Sequence, residues 1–179
     1  KSLATLTAED IGLFYESQGL VGEEATRELL LYAALGKVHT GIESLPGCGK
    51  TTLLFALKEA LPSSRYKILQ QASEKALFND PDLRRGKIDY LMITEYQKVI
   101  TNPQVEEIVK NLAEGLPSTY LRTNSKRTGI EQLEINVGTL LYTFAITNKH
   151  AKSKEHDAEL ARRFLVLHTD ISKEQNERV

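Results

Sequence analysis

The sequence contains few of the residues that often define a class of protein. Its 179 residues include one cysteine (Cys48), one methionine and no tryptophan. A single cysteine excludes an intrachain disulfide framework and a zinc site built from several cysteines, and it suits a reducing compartment. No apolar run approaches the length of about 18 residues that a membrane-spanning helix needs, and no signal peptide opens the chain. We therefore expect an intracellular, cytoplasmic protein with no membrane partner.

The chain also lacks an excess of charge, since 23 basic side chains face 24 acidic ones and the net charge is −1. This balance argues against a uniformly basic nucleic-acid binder. Two segments nevertheless differ strongly from each other in net charge. Residues 1–36 carry six acids against Lys1 and Arg27, a balance of −4, whereas residues 119–130 carry three cations and no acid. An acidic N-terminal region thus offsets a small basic element.

Composition and length are those of one globular domain, with 41% hydrophobic and 26% charged residues. The chain begins with Lys1 rather than Met, so we expect residues 1–179 to be a piece of a longer protein. Apolar runs of strand length alternate with helical patterns, which predicts an α/β fold with a mostly parallel sheet. The predicted strands are 38–43, 66–71, 88–94, 139–147 and 164–168, and the predicted helices follow Thr7 and cover 23–35, 51–61, 73–78 and 103–115.

Residues 119–135 interrupt this alternation. They read as two short strands around a polar turn that contains Gly129, just before the apolar run 139–147. We therefore expect an inserted β-hairpin with a basic turn.

The strongest motif is S-L-P-G-C-G-K-T-T at residues 44–52, between a predicted strand and a predicted helix. Glycines let successive backbone N–H groups turn toward phosphate oxygens, and the helix adds its positive end. In the pattern G-x-x-x-x-G-K-[ST], the lysine neutralises the β and γ phosphates and the hydroxyl binds Mg²⁺. Ser44 replaces the first glycine here. We predict ATP and Mg²⁺ as ligands, with phosphates held by Pro46, Gly47, Cys48, Gly49, Lys50, Thr51 and Thr52.

A phosphate loop that supports hydrolysis needs a second group, usually at the end of a neighbouring strand. Glu95 ends the apolar run 90–94, and we predict that it polarises the attacking water. The usual pair is Asp-Glu, but Thr94 stands in the aspartate position, so we expect Mg²⁺ to depend on Thr51 with Thr94 or water. Asp89 lies at the far end of the strand and is a poor substitute. The alternative for Glu95 is an exposed strand-end carboxylate.

Three further residues are candidates for the same chemistry. Asn148 follows the run 139–147 and is placed to hydrogen-bond the lytic water or the γ-phosphate; its alternative is a turn residue. Arg162 and Arg163 precede the last predicted strand. In an oligomeric ATPase such arginines reach the γ-phosphate of the next subunit and stabilise the transition state. Their alternative is ordinary surface charge.

These elements, in this order, resemble the core of the AAA+ ATPases. The segment G-E-E-A-T-R-E-L-L from Gly22 is similar to the helix before the phosphate-loop strand of that superfamily. Thr94-Glu95 falls at the Walker B position, Asn148 at sensor 1 and Arg162-Arg163 at the arginine finger. The hairpin at 119–135 resembles the pre-sensor 1 hairpin of the branch that contains the minichromosome maintenance and superfamily 3 helicases.

This resemblance implies a three-layer P-loop NTPase sandwich and a homo-oligomeric ring, often a hexamer, with ATP at subunit interfaces. It further implies the motor of a replication-type DNA helicase, whose C-terminal lid and flanking domains we expect elsewhere in the longer protein. Lys126 and Arg127, at or near the hairpin tip, would with Arg122 contact the phosphate backbone of single-stranded DNA. A solvated basic loop is the alternative for this turn. For the chain, the alternatives are a MoxR-type protein remodeller and a monomeric P-loop kinase.

Overall fold

A computed structural model describes residues 7–123, 129–147 and 162–169. Its strands are β1 (Thr40–Ser44), β2 (Tyr66–Leu69), β3 (Tyr90–Ile93), β4 (Ser118–Thr123), β5 (Ile130–Ile135), β6 (Thr139–Ala145) and β7 (Leu165–His168). Five of them form one parallel sheet in the order β2-β3-β6-β1-β7. The predicted α/β class and five-stranded parallel sheet are confirmed.

The helices are α1 (Ala8–Ser17), α2 (Glu24–Leu35), α3 (Lys50–Glu59), α4 (Glu74–Asn79), α5 (Pro81–Arg84), α6 (Tyr96–Val99) and α7 (Pro103–Ala113). Capping side chains mark where two of these helices begin. Thr7 and Asp10 form a capping box at the N-terminus of α1. Asn102 caps α7, whose first turn contains a proline. The short helices α5 and α6 escaped prediction because four residues are too few to show a helical period. Within the described ranges, no helix combines the length and apolar character needed to cross a membrane.

Helices cover both faces of the parallel sheet. One buried cluster joins α1, α2 and α3 to residues of β1, β3, β6 and β7, including Ile42 and Met92. A second cluster joins α4, α6 and α7 to the opposite face of β3 and β6, including Ile93 and Leu140. Successive residues of a strand point to opposite faces, so Met92 and Ile93 enter different clusters. The result is a sheet between two helical layers, compatible with a P-loop-like sandwich.

Helix α2 buries only part of the predicted face. The spacing of Ala25, Leu29, Leu30 and Ala33 predicts that these four residues share the buried face. Leu30 and Ala33 are buried, but Ala25 is exposed and the side chain of Leu29 is 50% exposed. Arg27 is also buried; its guanidinium donates to the carbonyl of Leu20 at 3.2 Å and lies over the Tyr15 ring of α1.

Strands β4 and β5 form a separate antiparallel sheet. Their register runs from Ser118 opposite Ile135 to Thr123 opposite Ile130. The ring of Tyr120 stacks on Phe78 of α4 with centroids 5.3 Å apart, which attaches this sheet to the helical layer. Residues 124–128, which include the predicted turn, lie outside the described residues.

Gly41 makes room for the ring of Tyr142 at the centre of the sheet. A Cβ atom at Gly41 would overlap the end of that ring, lying 2.6 Å from its Cε2. The Tyr142 hydroxyl donates to Oε1 of Glu43 at 2.7 Å, and the rings of Tyr96 and Phe164 each lie 4.9 Å away. The ring therefore has little freedom to move aside.

Gly41→Ala is expected to lower the free energy of unfolding by about 1–3 kcal/mol, because the added methyl overpacks this contact. Urea unfolding measures the loss. In a Tyr142→Ala background the methyl meets no ring, so the same substitution should cost much less. Equal costs in the two backgrounds would show that the ring contact is not the cause.

Candidate functional site

The candidate site lies at the carboxyl ends of the parallel strands, where ligands bind open α/β sheets. The loop from Ser44 to Lys50 leaves β1 at this edge and enters α3. β6 is the neighbour of both β1 and β3, so the ends of all three strands meet. The sequence therefore brings the phosphate-loop motif and Glu95 to one place.

Two glycines shape the loop. Gly47 has φ +82° and Gly49 has φ +67°, values that side-chain-bearing residues rarely adopt. A Cβ atom at either position would meet nothing within 4 Å, so the loop surface is open there. Gly49 is also the N-cap of α3 and offers no side chain to its first N–H groups. These N–H groups can donate hydrogen bonds to a bound anion.

Lys50 is held inside the loop. Its side chain is buried, and Nζ donates to the carbonyl of Ser44 at 3.1 Å and to that of Leu45. Burial lowers the pKa of Lys50, and the nearby Cys48 thiol partly opposes this shift. An ammonium group that has lost much of its hydration gains more from a phosphate than an exposed one does.

One cavity of about 380 Å³ brings most of the predicted site residues together. The phosphate loop lines this cavity together with Glu95 and with residues of α6 and β6. Its lining comprises Pro46, Gly47, Cys48, Gly49, Lys50, Thr51, Thr52, Glu95, Gln97, Thr143 and Ala145. The cavity thus combines anion-binding groups with one carboxylate.

Glu95 occupies a strained backbone position directly after β3. Its φ of 58° is left-handed, and its backbone N–H donates to Oγ1 of Thr143 at 3.1 Å. Strain of this kind costs about 1–3 kcal/mol and persists where surrounding contacts hold it. The carboxylate pairs with Nζ of Lys98 at 2.6 Å, and both side chains are about half exposed. Such an exposed pair is weak, so the carboxylate remains able to turn toward a ligand.

Thr94 and Thr51 were predicted to hold Mg²⁺. Thr94 is 2% exposed, and its hydroxyl has no hydrogen-bond partner in the part of the chain that is described. Thr51 lines the cavity at the start of α3. No cluster of three or more His, Cys, Asp or Glu side chains that could hold a metal ion is found in the described ranges. The Thr51 hydroxyl fits a Mg²⁺ ion that retains water and is held mainly by nucleotide phosphates, whereas Thr94 is not among the residues that line the cavity.

Arg162 and Arg163 lie at the amino ends of the parallel strands, whereas the phosphate loop lies at their carboxyl ends. Leu165, which follows them, stands opposite Thr40 at the beginning of β1. Ser44, at the loop, comes four positions after Thr40, a distance of about 13 Å along a strand. Arg163 forms an ion pair with Glu114 after α7, while Arg162 is exposed. Neither arginine is placed to reach the phosphate loop of its own chain.

The predicted nucleic-acid residues are only partly described. Arg122 lies on β4, where Nε contacts Oε2 of Glu131 at 3.2 Å and the guanidinium also donates to Asn79. Lys126, Arg127 and the proposed sensor Asn148 lie outside the described residues.

Sequence reasoning missed Thr143, Gln97 and Lys98. Thr143 supports the backbone of Glu95, and Oε1 of Gln97 accepts the N–H of Ala145 at 3.3 Å, tying α6 to β6. A second cavity of about 580 Å³ adjoins the first through Glu95 and is lined by Ile68, Leu69, Gln70, Gln71, Glu95 and Lys98. A buried threonine within an apolar strand was the available signal for Thr143.

No protein-family model matches the sequence, and no curated protein is matched by it. The fold is an α/β sandwich compatible with a P-loop-like protein, and its glycine-rich loop lies at the carboxyl end of β1.

Proposed function

We propose that this chain is an ATP-hydrolysing P-loop domain and, more specifically, the AAA+ motor core of a ring-forming DNA helicase. One observation carries the hydrolytic part: Lys50, inside a glycine loop, and Glu95 line one and the same cavity. A phosphate-binding cradle and a carboxylate in one cavity are what phosphoanhydride hydrolysis requires.

ATP binds with its phosphates in the loop. The N–H groups at the start of α3 and the Lys50 ammonium replace the water that solvates the β and γ phosphates. Lys50 exchanges the carbonyls of Ser44 and Leu45 for phosphate oxygens. Mg²⁺, when bound through Thr51, Thr94 and water, supplies neutralisation of the charge that develops on the phosphates.

Glu95 then accepts a hydrogen bond from the attacking water and takes its proton as the water oxygen bonds to the γ-phosphorus. The bond from that phosphorus to the β–γ bridging oxygen breaks, and ADP and inorganic phosphate leave. For this step the carboxylate leaves Lys98 and turns toward the loop. Thr143 keeps the backbone of Glu95 at the cavity wall during that movement. Asn148, which comes three residues after β6 in the sequence, is proposed to orient the same water.

The position of the arginines supports a ring rather than a monomer. Arg162 and Arg163 are at the edge of the sheet remote from their own phosphate loop, so they would reach a γ-phosphate only in a neighbouring copy. A monomeric kinase would need them as a lid over its own site. The second cavity beside Glu95 is the one observation that favours a kinase, because it offers space for an acceptor.

Thr94→Val tests the metal assignment. Since the Thr94 hydroxyl is buried without a described partner, valine should not lower the free energy of unfolding. If the hydroxyl helps to hold Mg²⁺, the concentration of Mg²⁺ needed for half-maximal ATP hydrolysis should rise about tenfold.

Thr139→Val is the matched control, because Thr139 is a second buried strand threonine whose hydroxyl has no described partner. It lies at the end of β6 that is remote from the cavity. It should leave the Mg²⁺ requirement unchanged. An unchanged requirement in Thr94→Val as well would remove Thr94 from the metal site.

Steady-state ATPase activity, measured against protein concentration with and without single-stranded DNA, tests the proposed function. Specific activity that rises with concentration supports arginines acting between subunits, and stimulation by DNA supports the helicase. Concentration-dependent activity without DNA stimulation would favour the protein remodeller. Concentration-independent phosphoryl transfer to a small acceptor would favour the kinase.

A further inference from the structure

A second basic element lies on the turn between α5 and β3. Residues 84–87 read Arg-Arg-Gly-Lys, and all four are exposed, whereas Leu83 before them and Ile88 after them are buried. Asp82 is the one acid between residues 82 and 87, so three cations leave this segment with a net charge of +2. This turn was not among the residues that the sequence predicted to bind nucleic acid.

The backbone of the turn is fixed. The carboxylate of Asp80 accepts the N–H groups of Asp82 and Leu83, and the N–H of Lys87 donates to the carbonyl of Asp82 at 3.1 Å. Gly86 supplies the left-handed residue, with φ +61°. A rigid turn loses little conformational entropy when its side chains bind a ligand.

The acidic residues next to this turn form ion pairs with other cations. Asp80 pairs with Lys67, and Asp89 pairs with Arg65. Among the described residues, neither Arg85 nor Lys87 forms an ion pair with any of these acids. Their charges are therefore available to a partner.

The turn is continuous with the β4–β5 sheet. Glu131 of β5 contacts Nη2 of Arg84 at 3.4 Å and Nε of Arg122 at 3.2 Å. Two guanidinium groups share this one carboxylate, so the junction keeps a net charge of +1. The chain from β4 to β5 contains Lys126 and Arg127. The basic turn thus stands beside the sheet that leads to the cations predicted to contact DNA.

We propose that Arg85 and Lys87 bind the phosphate backbone of single-stranded DNA, as an extension of the contact made through the β4–β5 segment. This assignment rests on the proposed helicase function, whose DNA partner it specifies. Guanidinium and ammonium groups are the side chains that bind phosphates. The nearest aromatic ring of the β4–β5 sheet, Tyr120, is stacked on Phe78. Binding is therefore independent of base sequence.

Fluorescence anisotropy with a labelled single-stranded oligodeoxythymidylate tests the assignment. Arg85→Gln with Lys87→Gln should weaken binding roughly tenfold at low salt. The slope of log K against log salt should fall by about 1.4, since each phosphate contact on a single strand contributes about 0.7. Lys37→Gln with Lys58→Gln is the matched control, because it removes two cations elsewhere and should preserve the slope.

ATP binding and ATPase activity of the same proteins separate the outcomes. Unchanged DNA affinity and slope in the Arg85→Gln, Lys87→Gln variant would overturn the assignment even if wild type is a DNA-stimulated ATPase. A wild-type protein that binds no DNA would overturn it together with the helicase. Selective loss of DNA binding in a protein without ATPase activity would support the basic surface and reject the motor.

Discussion

Replacing Lys50 with alanine is expected to weaken ATP binding by about 3 kcal/mol, or roughly 100-fold in dissociation constant. The ammonium group is buried in the loop, where it donates to the main-chain carbonyls of Ser44 and Leu45. In the complex with ATP, this ammonium is the side-chain charge that contacts the β and γ phosphates directly. Hydrolysis should fall with binding, because no other described residue that lines the cavity is cationic.

Isothermal titration calorimetry with ATP in the presence of Mg²⁺ measures this change. Lys58→Ala is the matched control, since Lys58 lies on the same helix near its other end and pairs with Glu59. Circular dichroism should show that both variants keep the fold. Equal ATP affinity in wild type and Lys50→Ala would mean that the glycine loop does not bind nucleotide phosphates.

Glu95→Gln is expected to separate binding from hydrolysis. Loss of a general base costs typically 10²–10⁴-fold in rate, so we expect turnover to fall by about that factor. ATP affinity should stay within a few-fold of wild type, because Glu95 lines the cavity without being part of the phosphate loop. Single-turnover hydrolysis and equilibrium ATP binding together measure the two effects.

Asp89→Asn is the control for this substitution. Asp89 precedes the same strand at its opposite end and pairs there with Arg65. Replacement of Asp89 should leave turnover unchanged, because Asp89 comes five residues before Thr94 and lies at the other end of the strand. Turnover that falls equally in both variants, or in neither, would show that Glu95 is only an exposed strand-end carboxylate.

Much of the fold was predictable because local signals are strong in this chain. All five strands of the main sheet were expected near their observed positions, since short apolar runs lie between turn residues. The prediction for α2 was wrong at Ala25 and Leu29 and missed Arg27, because burial of Arg27 depends on Tyr15 of α1 and on Leu20 in the loop after α1. A helical period cannot reveal that a charged residue finds its partners across a helix pair.

The residues of the candidate site likewise include some that the sequence could predict and some that it could not. The phosphate loop is a contiguous motif, so its residues could be named from the sequence alone. Thr143 and Gln97 could not, because their roles depend on β6 lying between β1 and β3. Residues 95 and 143 are far apart in the chain, and only the strand order brings the hydroxyl of Thr143 to the backbone of Glu95.

The claim that this is an ATP-binding P-loop domain is tested most directly by equilibrium binding of ATP to the purified chain, with and without Mg²⁺. We predict one ATP per chain, tighter binding with Mg²⁺, competition by ADP, and loss of binding in Lys50→Ala. Absence of ATP binding by the wild-type protein up to about 1 mM, the upper end of ordinary substrate affinities, would contradict the assignment.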